Sequence, residues 1–174
     1  MQDLTAQGAK AWLLDLRNNP GGLINSGAAV ADAFLKKGII VTTRGRQEAG
    51  NMIYEADPLD PSQGLPTIVL INRGSASAAE IVAAALQENK RAHLAGQTSF
   101  GKGSVQSVIA LDAERSIKLT TAYYYTPKGR NLNNNGIVPD YKLGLSDSQE
   151  DELGPLEKSQ EILQQAITLL QKRL

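Results

Sequence analysis

Few residues in this chain could do chemistry, and they narrow to one serine and one lysine. Ser77 opens the run Ser77-Ala78-Ala79-Glu80, where an apolar stretch gives way to helical spacing. Ser-x-x-Glu is the sequence form of a capping box, in which the serine oxygen accepts a backbone N–H of the first turn and the glutamate reaches back. Capping alone would account for the serine, at about 1 kcal/mol. The same position also suits a nucleophile. A hydroxyl at a helix N-terminus lies beside unpaired N–H groups and the positive end of the helix dipole, which would stabilise the oxyanion of an acyl transfer. Gly74, Ala76, Ala78 and Ala79 leave room for a substrate backbone, and would equally let a helix pack closely on a sheet.

A serine hydroxyl is a poor nucleophile until a neighbour takes its proton. The only histidine, His93, falls in a short strand-like run where a structural role is expected, and a Ser-His-Asp triad would have to depend on it. Lysine is the remaining type. Lys102 is flanked by Gly101 and Gly103, follows Phe100, and has no acid within three residues. In a dry pocket such an amine loses its proton near neutral pH and can act as a base; otherwise it is a surface lysine. Gln106 lies four positions further on, which on an extended segment puts it on the same face. Its neutral amide could hold the amine without favouring the charged form, as an acid would.

One rival motif overlaps this region. Gly96 to Lys102 spells G-x-x-x-x-G-K, the start of a nucleotide-binding loop. Gly103 stands where a magnesium-holding Ser or Thr is needed, and residues 104–111 read as a strand where a phosphate cradle requires a helix.

The elements that must position these residues follow from periodicity and punctuation. Residues 11–16 form a short apolar run closed by Asn18-Asn19-Pro20-Gly21-Gly22, a strand feeding a glycine loop. Residues 23–35 carry apolar and small residues at helical spacing, with Gly38 as the expected cap. Residues 39–43 read as a strand, 47–51 as a polar segment, 52–55 as a strand pairing back, and 57–64 as a proline-rich loop. Residues 67–71 (TIVLI) are the strongest buried strand, followed by a helix over 78–88. Further strands are expected at 92–95, 105–111 and 117–125, with 131–140 rich in turns. Residues 155–173 form an amphipathic helix begun by proline, with Leu156, Ile162, Leu163, Ala166, Ile167 and Leu170 on one stripe. The order of elements predicts an α/β core with a partly antiparallel section.

Composition bounds the rest. The 174 residues are 41% hydrophobic, enough for one domain with a single core. Eighteen basic residues balance 18 acidic ones and no basic run stands out, so nucleic acid is not an expected partner. With no cysteine, disulfides, thiolate catalysis and Cys-bound zinc are excluded. No apolar stretch is long enough for a membrane span, and the N-terminus lacks the pattern of an export signal.

Together these segments resemble the carboxyl-terminal processing proteases, a family of Ser/Lys peptidases. The matching stretches are Leu14-Asp15-Leu16-Arg17-Asn18-Asn19-Pro20-Gly21-Gly22, Gly74-Ser75-Ala76-Ser77 with Glu80, and Gly96 with Ser99-Phe100-Gly101-Lys102-Gly103-Ser104-Val105-Gln106. Ile117-Lys118-Leu119-Thr120-Thr121-Ala122, Thr126-Pro127 with Gly129-Arg130, and Gly136-Ile137 with Pro139-Asp140 extend the match. The resemblance implies Ser77 as nucleophile, Lys102 as general base and Gln106 as the residue orienting the lysine. It implies an oxyanion hole from the N–H of Gly21 or Gly22 together with that of Ala78. Ala79 departs from the small hydroxyl residue often found there. The implied fold is a crotonase/ClpP-like α/β core of mixed β-sheet with flanking helices, a single peptidase core over residues 1–174. The family's upstream PDZ domain, N-terminal helical segment and export signal are absent from these residues. Expected partners are protein or peptide substrates with accessible C-termini, with a homo-oligomer as a further option, and the expected location is a periplasm or thylakoid lumen. No metal or cofactor is required by this chemistry. A peptide-binding scaffold of the same fold, without catalysis, is the alternative.

Overall fold

In the computed structural model, which describes residues 1–46, 48–145 and 154–174, the strand Thr67–Ile71 is buried along its whole length. A strand this apolar must be covered on both faces, as strands of a parallel sheet are. It lies between β1 (Trp12–Asp15) and β5 (His93–Gly96), parallel to both, and is numbered β4. A two-residue strand, β8 (Tyr141–Lys142), extends the sheet in the order β1-β4-β5-β8. Alternate residues of β4 serve two cores. Val69 and Ile71 join the larger one with Trp12, Leu94 and helix α3 (Ala78–Glu88), while Ile68 and Leu70 face Ala166 and Leu170 of the terminal helix α4 (Pro155–Gln171).

The second sheet is antiparallel, in the order β3-β2-β7-β6, from β2 (Ile39–Gly45), β3 (Met52–Glu55), β6 (Ser104–Ala110) and β7 (Ser116–Tyr125). The expected mixed sheet is therefore divided: the parallel strands form one sheet and the antiparallel strands another. Helix α3 lies between them, buried from Ala78 to Leu86. Its run of alanines lets neighbours approach, and Gly27 of α2 (Ile24–Asp32) sits so close that an added Cβ would lie 3.1 Å from the Ala78 side chain. A short helix α1 (Gln2–Ala6) precedes β1.

Several boundaries differ from the sequence expectation. Helix α2 stops at Asp32, because Phe34 and Leu35 bond back to Ala31 and Asp32 in tighter turns that bury both side chains. Gly38, at φ +105°, lies in the following turn and does not cap the helix. Leu156 is exposed, so the buried stripe of α4 starts later than expected. Of the segment 47–51, Gln47 lies outside the described residues, and Glu48–Gly50 form a 3-10 turn.

Arg91, ahead of β5, closes one end of the larger core. Its guanidinium donates to the carbonyls of Phe34 (2.8 Å) and Leu65 (3.0 Å) and to the hydroxyls of Thr67 (3.1 Å) and Ser62 (2.7 Å). The Ser62 carbonyl in turn accepts the Trp12 indole N–H at 3.0 Å. Arg91→Ala would strand these acceptors, and urea unfolding should show a loss of about 2–4 kcal/mol.

Candidate active site

After β4 the chain turns through Asn72 to Gly74 and is fastened before it reaches Ser77. The Ser75 hydroxyl donates to the Leu16 carbonyl at 2.7 Å and accepts the Asn72 N–H at 2.9 Å, tying the turn to the end of β1. The Ala76 N–H donates to Asn19 and the Phe100 N–H to Ser75, both at 2.9 Å. Ser77 then adopts φ 54° and ψ −117°, a left-handed conformation that costs a residue with a side chain about 1–3 kcal/mol.

The group that holds this conformation is Glu80, which is fully buried. Its Oε2 accepts the backbone N–H of Ser77 at 2.9 Å and that of Lys102 at 2.8 Å. Its Oε1 accepts the Gly101 N–H at 2.7 Å and the Ser99 hydroxyl at 2.5 Å. Ser99 in turn accepts the Ile137 N–H at 2.7 Å, which fixes the direction of its own proton toward Glu80. Four donors thus occupy the four acceptor sites of one carboxylate, and the serine and lysine segments share a single oxygen. The sequence pattern placed Glu80 only in a capping box; its contacts with the loop at residues 99–102 have no local signal.

Glu80 supplies its half of the capping box by taking the Ser77 N–H. Tyr124 of β7 is buried as well. Burial pushes the Tyr124 phenol above its ordinary pKa; the hydrogen bond with Ser77 pulls the other way, and nearby Tyr54 adds to the rise. Tyr124 was read from the sequence only as part of a strand.

The glycine loop after β1 comes up against this turn. Gly21, at φ +96°, lies where a Cβ would fall 2.8 Å from the Ala78 nitrogen and from the Ser77 Cβ, so only glycine fits. Its own N–H donates to the Asn19 side chain at 2.9 Å. Among the described residues, the N–H groups of Gly22 and Ala78 have no acceptor. Beside them is a cleft of about 140 Å³ lined by Gly21, Gly22, Leu23, Val30, Ala78 and Val82.

The other expected residues are placed less tightly. The backbone of Lys102 is pinned, but its side chain is exposed to solvent and is not hydrogen-bonded to Ser77; its apolar neighbour Phe100 is itself 68% exposed. The Gln106 amide donates to Thr120 at 2.6 Å and to Ser104 at 3.3 Å rather than holding the lysine. A bulge explains this: Val105 pairs with Ala122 but Gln106 with Thr120, so β7 carries one extra residue there. His93 sits on β5 with Nδ1 3.8 Å from Asp140 and its ring edge on Tyr141. Residues after Lys102 form β6, so the nucleotide-loop pattern lacks its helix.

A serine at a strained strand-to-helix turn, beside free N–H groups and a pinned lysine loop, is an arrangement suited to acyl transfer. Residues 1–143 match the profile of peptidase family S41, and the chain belongs to that family. It is 53% identical over 131 residues to a carboxy-terminal-processing protease from Bartonella bacilliformis, covering 75% of this chain and 30% of that protein. It is 40% identical over 141 residues to a chloroplastic C-terminal processing peptidase from Tetradesmus obliquus, covering 81% and 30%. Its fold superposes on the photosystem II D1 C-terminal processing protease with a TM-score of 0.74 at 39% identity, covering 82% of this chain and 36% of that one. The chain spans about a third of the length of these relatives.

Replacing Glu80 by Gln turns an amide N–H2 toward donors that need an acceptor. Glu80→Gln should lose about 2–5 kcal/mol in urea unfolding, with two of the four donors left unpaired.

Proposed function

We propose that this chain is the catalytic part of a serine endopeptidase that cleaves protein substrates near their C-termini with a Ser77/Lys102 pair. Lys102 takes the Ser77 proton as Oγ bonds to the peptide carbonyl carbon, and the N–H groups of Ala78 and Gly22 hold the oxyanion. The C–N bond then breaks, Lys102 returns the proton to the leaving amine, and water hydrolyses the acyl-enzyme. The observation that carries this reading is the shared oxygen of Glu80, which brings the backbones of Ser77 and Lys102 to one point.

Gly22 is preferred over Gly21 for the oxyanion because the Gly21 N–H is already engaged by Asn19. The small apolar cleft beside Ala78 favours a small or branched aliphatic side chain on the substrate residue whose carbonyl is attacked. Lys102 lies open to solvent in the chain as it stands, so the dry surroundings that a lysine base requires come from whatever covers the loop, substrate included. Gln106 joins the lysine in that covered state. A location outside the cytoplasm belongs to the same proposal, supported by the chloroplastic relative; among the described residues no helix is long and apolar enough to cross a membrane.

A second reading, a peptide-binding scaffold without turnover, is favoured by one observation: Ser77 and Lys102 are not hydrogen-bonded to each other, and the Gln106 amide is engaged elsewhere. Covalent labelling by a fluorophosphonate separates the two. For the peptidase, labelling falls on Ser77, rises with pH as an amine loses its proton, vanishes in Ser77→Ala and drops by about 10²–10⁴-fold in Lys102→Ala. A chain that never labels, or labels equally without Lys102, is the scaffold.

A further inference from the structure

We propose that Asn72 is a positioning residue for the oxyanion hole, its side-chain amide locking the glycine loop after β1 to the turn that carries Ser77. The inference rests on the peptidase reading, in which the N–H groups of Gly22 and Ala78 hold the oxyanion. Those two donors belong to different stretches of chain, so their separation is set by whatever joins the stretches. β1 and β4 run side by side, with Asp15 level with Leu70, and the two chains leave the sheet together. Asn72 follows directly on β4, and Asn18 comes shortly after β1.

Asn72 Oδ1 accepts the backbone N–H of Asn18 at 2.9 Å and that of Gly74 at 3.0 Å. Two backbone donors on one atom identify it as the oxygen, so the other end of the amide is the nitrogen, and Nδ2 donates to Asn18 Oδ1 at 2.9 Å. The Asn72 backbone is closed on Ser75: its N–H donates to the hydroxyl and its carbonyl accepts the N–H, both at 2.9 Å. Asn18 meets the amide in a left-handed conformation, φ 56°, which asparagine tolerates better than most residues. The two chains touch here, since a Cβ on Gly74 would fall 2.7 Å from Asn18 Oδ1 and 2.9 Å from its Cα. Beyond the lock, the Ala76 N–H donates to the Asn19 carbonyl and Asn19 Oδ1 accepts the Gly21 N–H, both at 2.9 Å, which carries the alignment on toward the two donors.

The lock needs an acceptor for two N–H groups and a donor for one oxygen in the same side chain, and an amide supplies both. Asn72 is half-buried and Asn18 exposed, so each bond adds modestly to stability and the main effect is geometric. An oxyanion hole works when both donors stand at hydrogen-bond distance from the place where charge develops. If one stretch slides against the other, one donor is misplaced, and a displacement of about 1 Å costs up to about 100-fold in rate. A ground-state carbonyl draws less on these donors, so the loss falls on rate rather than affinity.

The test compares two variants that add the same charge at nearly the same place. Asn72→Asp keeps the acceptor for both N–H groups but sets two oxygens against each other where Nδ2 met Asn18 Oδ1. Asn18→Asp leaves Nδ2 a carboxylate oxygen to bond, in a backbone conformation that aspartate also tolerates. In fluorophosphonate labelling, Oγ bonds to phosphorus, fluoride leaves and the serine proton goes to the base. The maximal labelling rate of Asn72→Asp should be roughly 10-fold below that of Asn18→Asp, at equal half-saturating probe concentrations. Asn18→Gly keeps the left-handed turn and the backbone N–H but removes Oδ1; its maximal rate should fall below wild type in the same way, and it carries the test if Asn72→Asp does not fold. Equal maximal rates in the two aspartate variants, a difference confined to half-saturation, or a wild-type rate in Asn18→Gly would overturn the proposal. If instead wild type fails to label, or Ser77→Ala still labels, the peptidase reading itself falls and this inference falls with it.

Discussion

Glu80 holds both its oxygens against donors from three stretches of chain: the turn before α3, the loop at residues 99–102, and, through Ser99, the segment at Ile137. Removed from water, backbone N–H groups must find acceptors, and a carboxylate offers four sites in a small volume. Because the strand, the helix and the lysine loop converge on the same group, none can shift without leaving a buried donor unmet. That requirement fixes where Ser77 stands relative to Lys102 more firmly than apolar packing could, since packing is non-directional.

The constraint acts on backbone and leaves side-chain tips free. Ser77 is forced into a conformation that its residue type disfavours, and Gly21 is drawn in until no side chain fits there. The amine of Lys102 and the amide of Gln106 are not held by it, and both point to other partners or to solvent. The two sheets share the work accordingly. Parallel strands deliver the loop ends that carry the serine and the glycines, while the antiparallel sheet brings Tyr124 and Gln106 from the other side of α3.

Much of this was legible from residue order. The unbroken apolar run at 67–71 announced a strand covered on both faces, and the change to helical spacing at Ala78 located the junction where Ser77 sits. Elimination among His93, the absent cysteines and the lysines makes Lys102 the candidate base, which is a reading of residue types alone. What was not legible depends on partners distant in sequence. Alternation placed Gln106 beside Lys102, but the extra residue in β7 moved Thr120 opposite it, and a bulge leaves no mark in periodicity. The end of α2 was misplaced because Phe34 and Leu35 are as apolar in a buried turn as in a helix. Glu80 looked like a local cap because only its bond to Ser77, three positions away, is local; its bonds to Ser99, Gly101 and Lys102 span about twenty positions. The two-residue β8 was too short to register as a pattern at all.

The left-handed backbone at position 77 has an evolutionary side. Glycine is the residue that occupies such a conformation without penalty, so the fold itself would be relaxed by losing the hydroxyl it presents. Selection on folding alone therefore pulls this codon toward glycine, and a serine kept here answers to something other than fold stability. Drift at this one site would yield a sturdier molecule without the alcohol, so thermal robustness in a descendant lineage says nothing about whether the hydroxyl is kept.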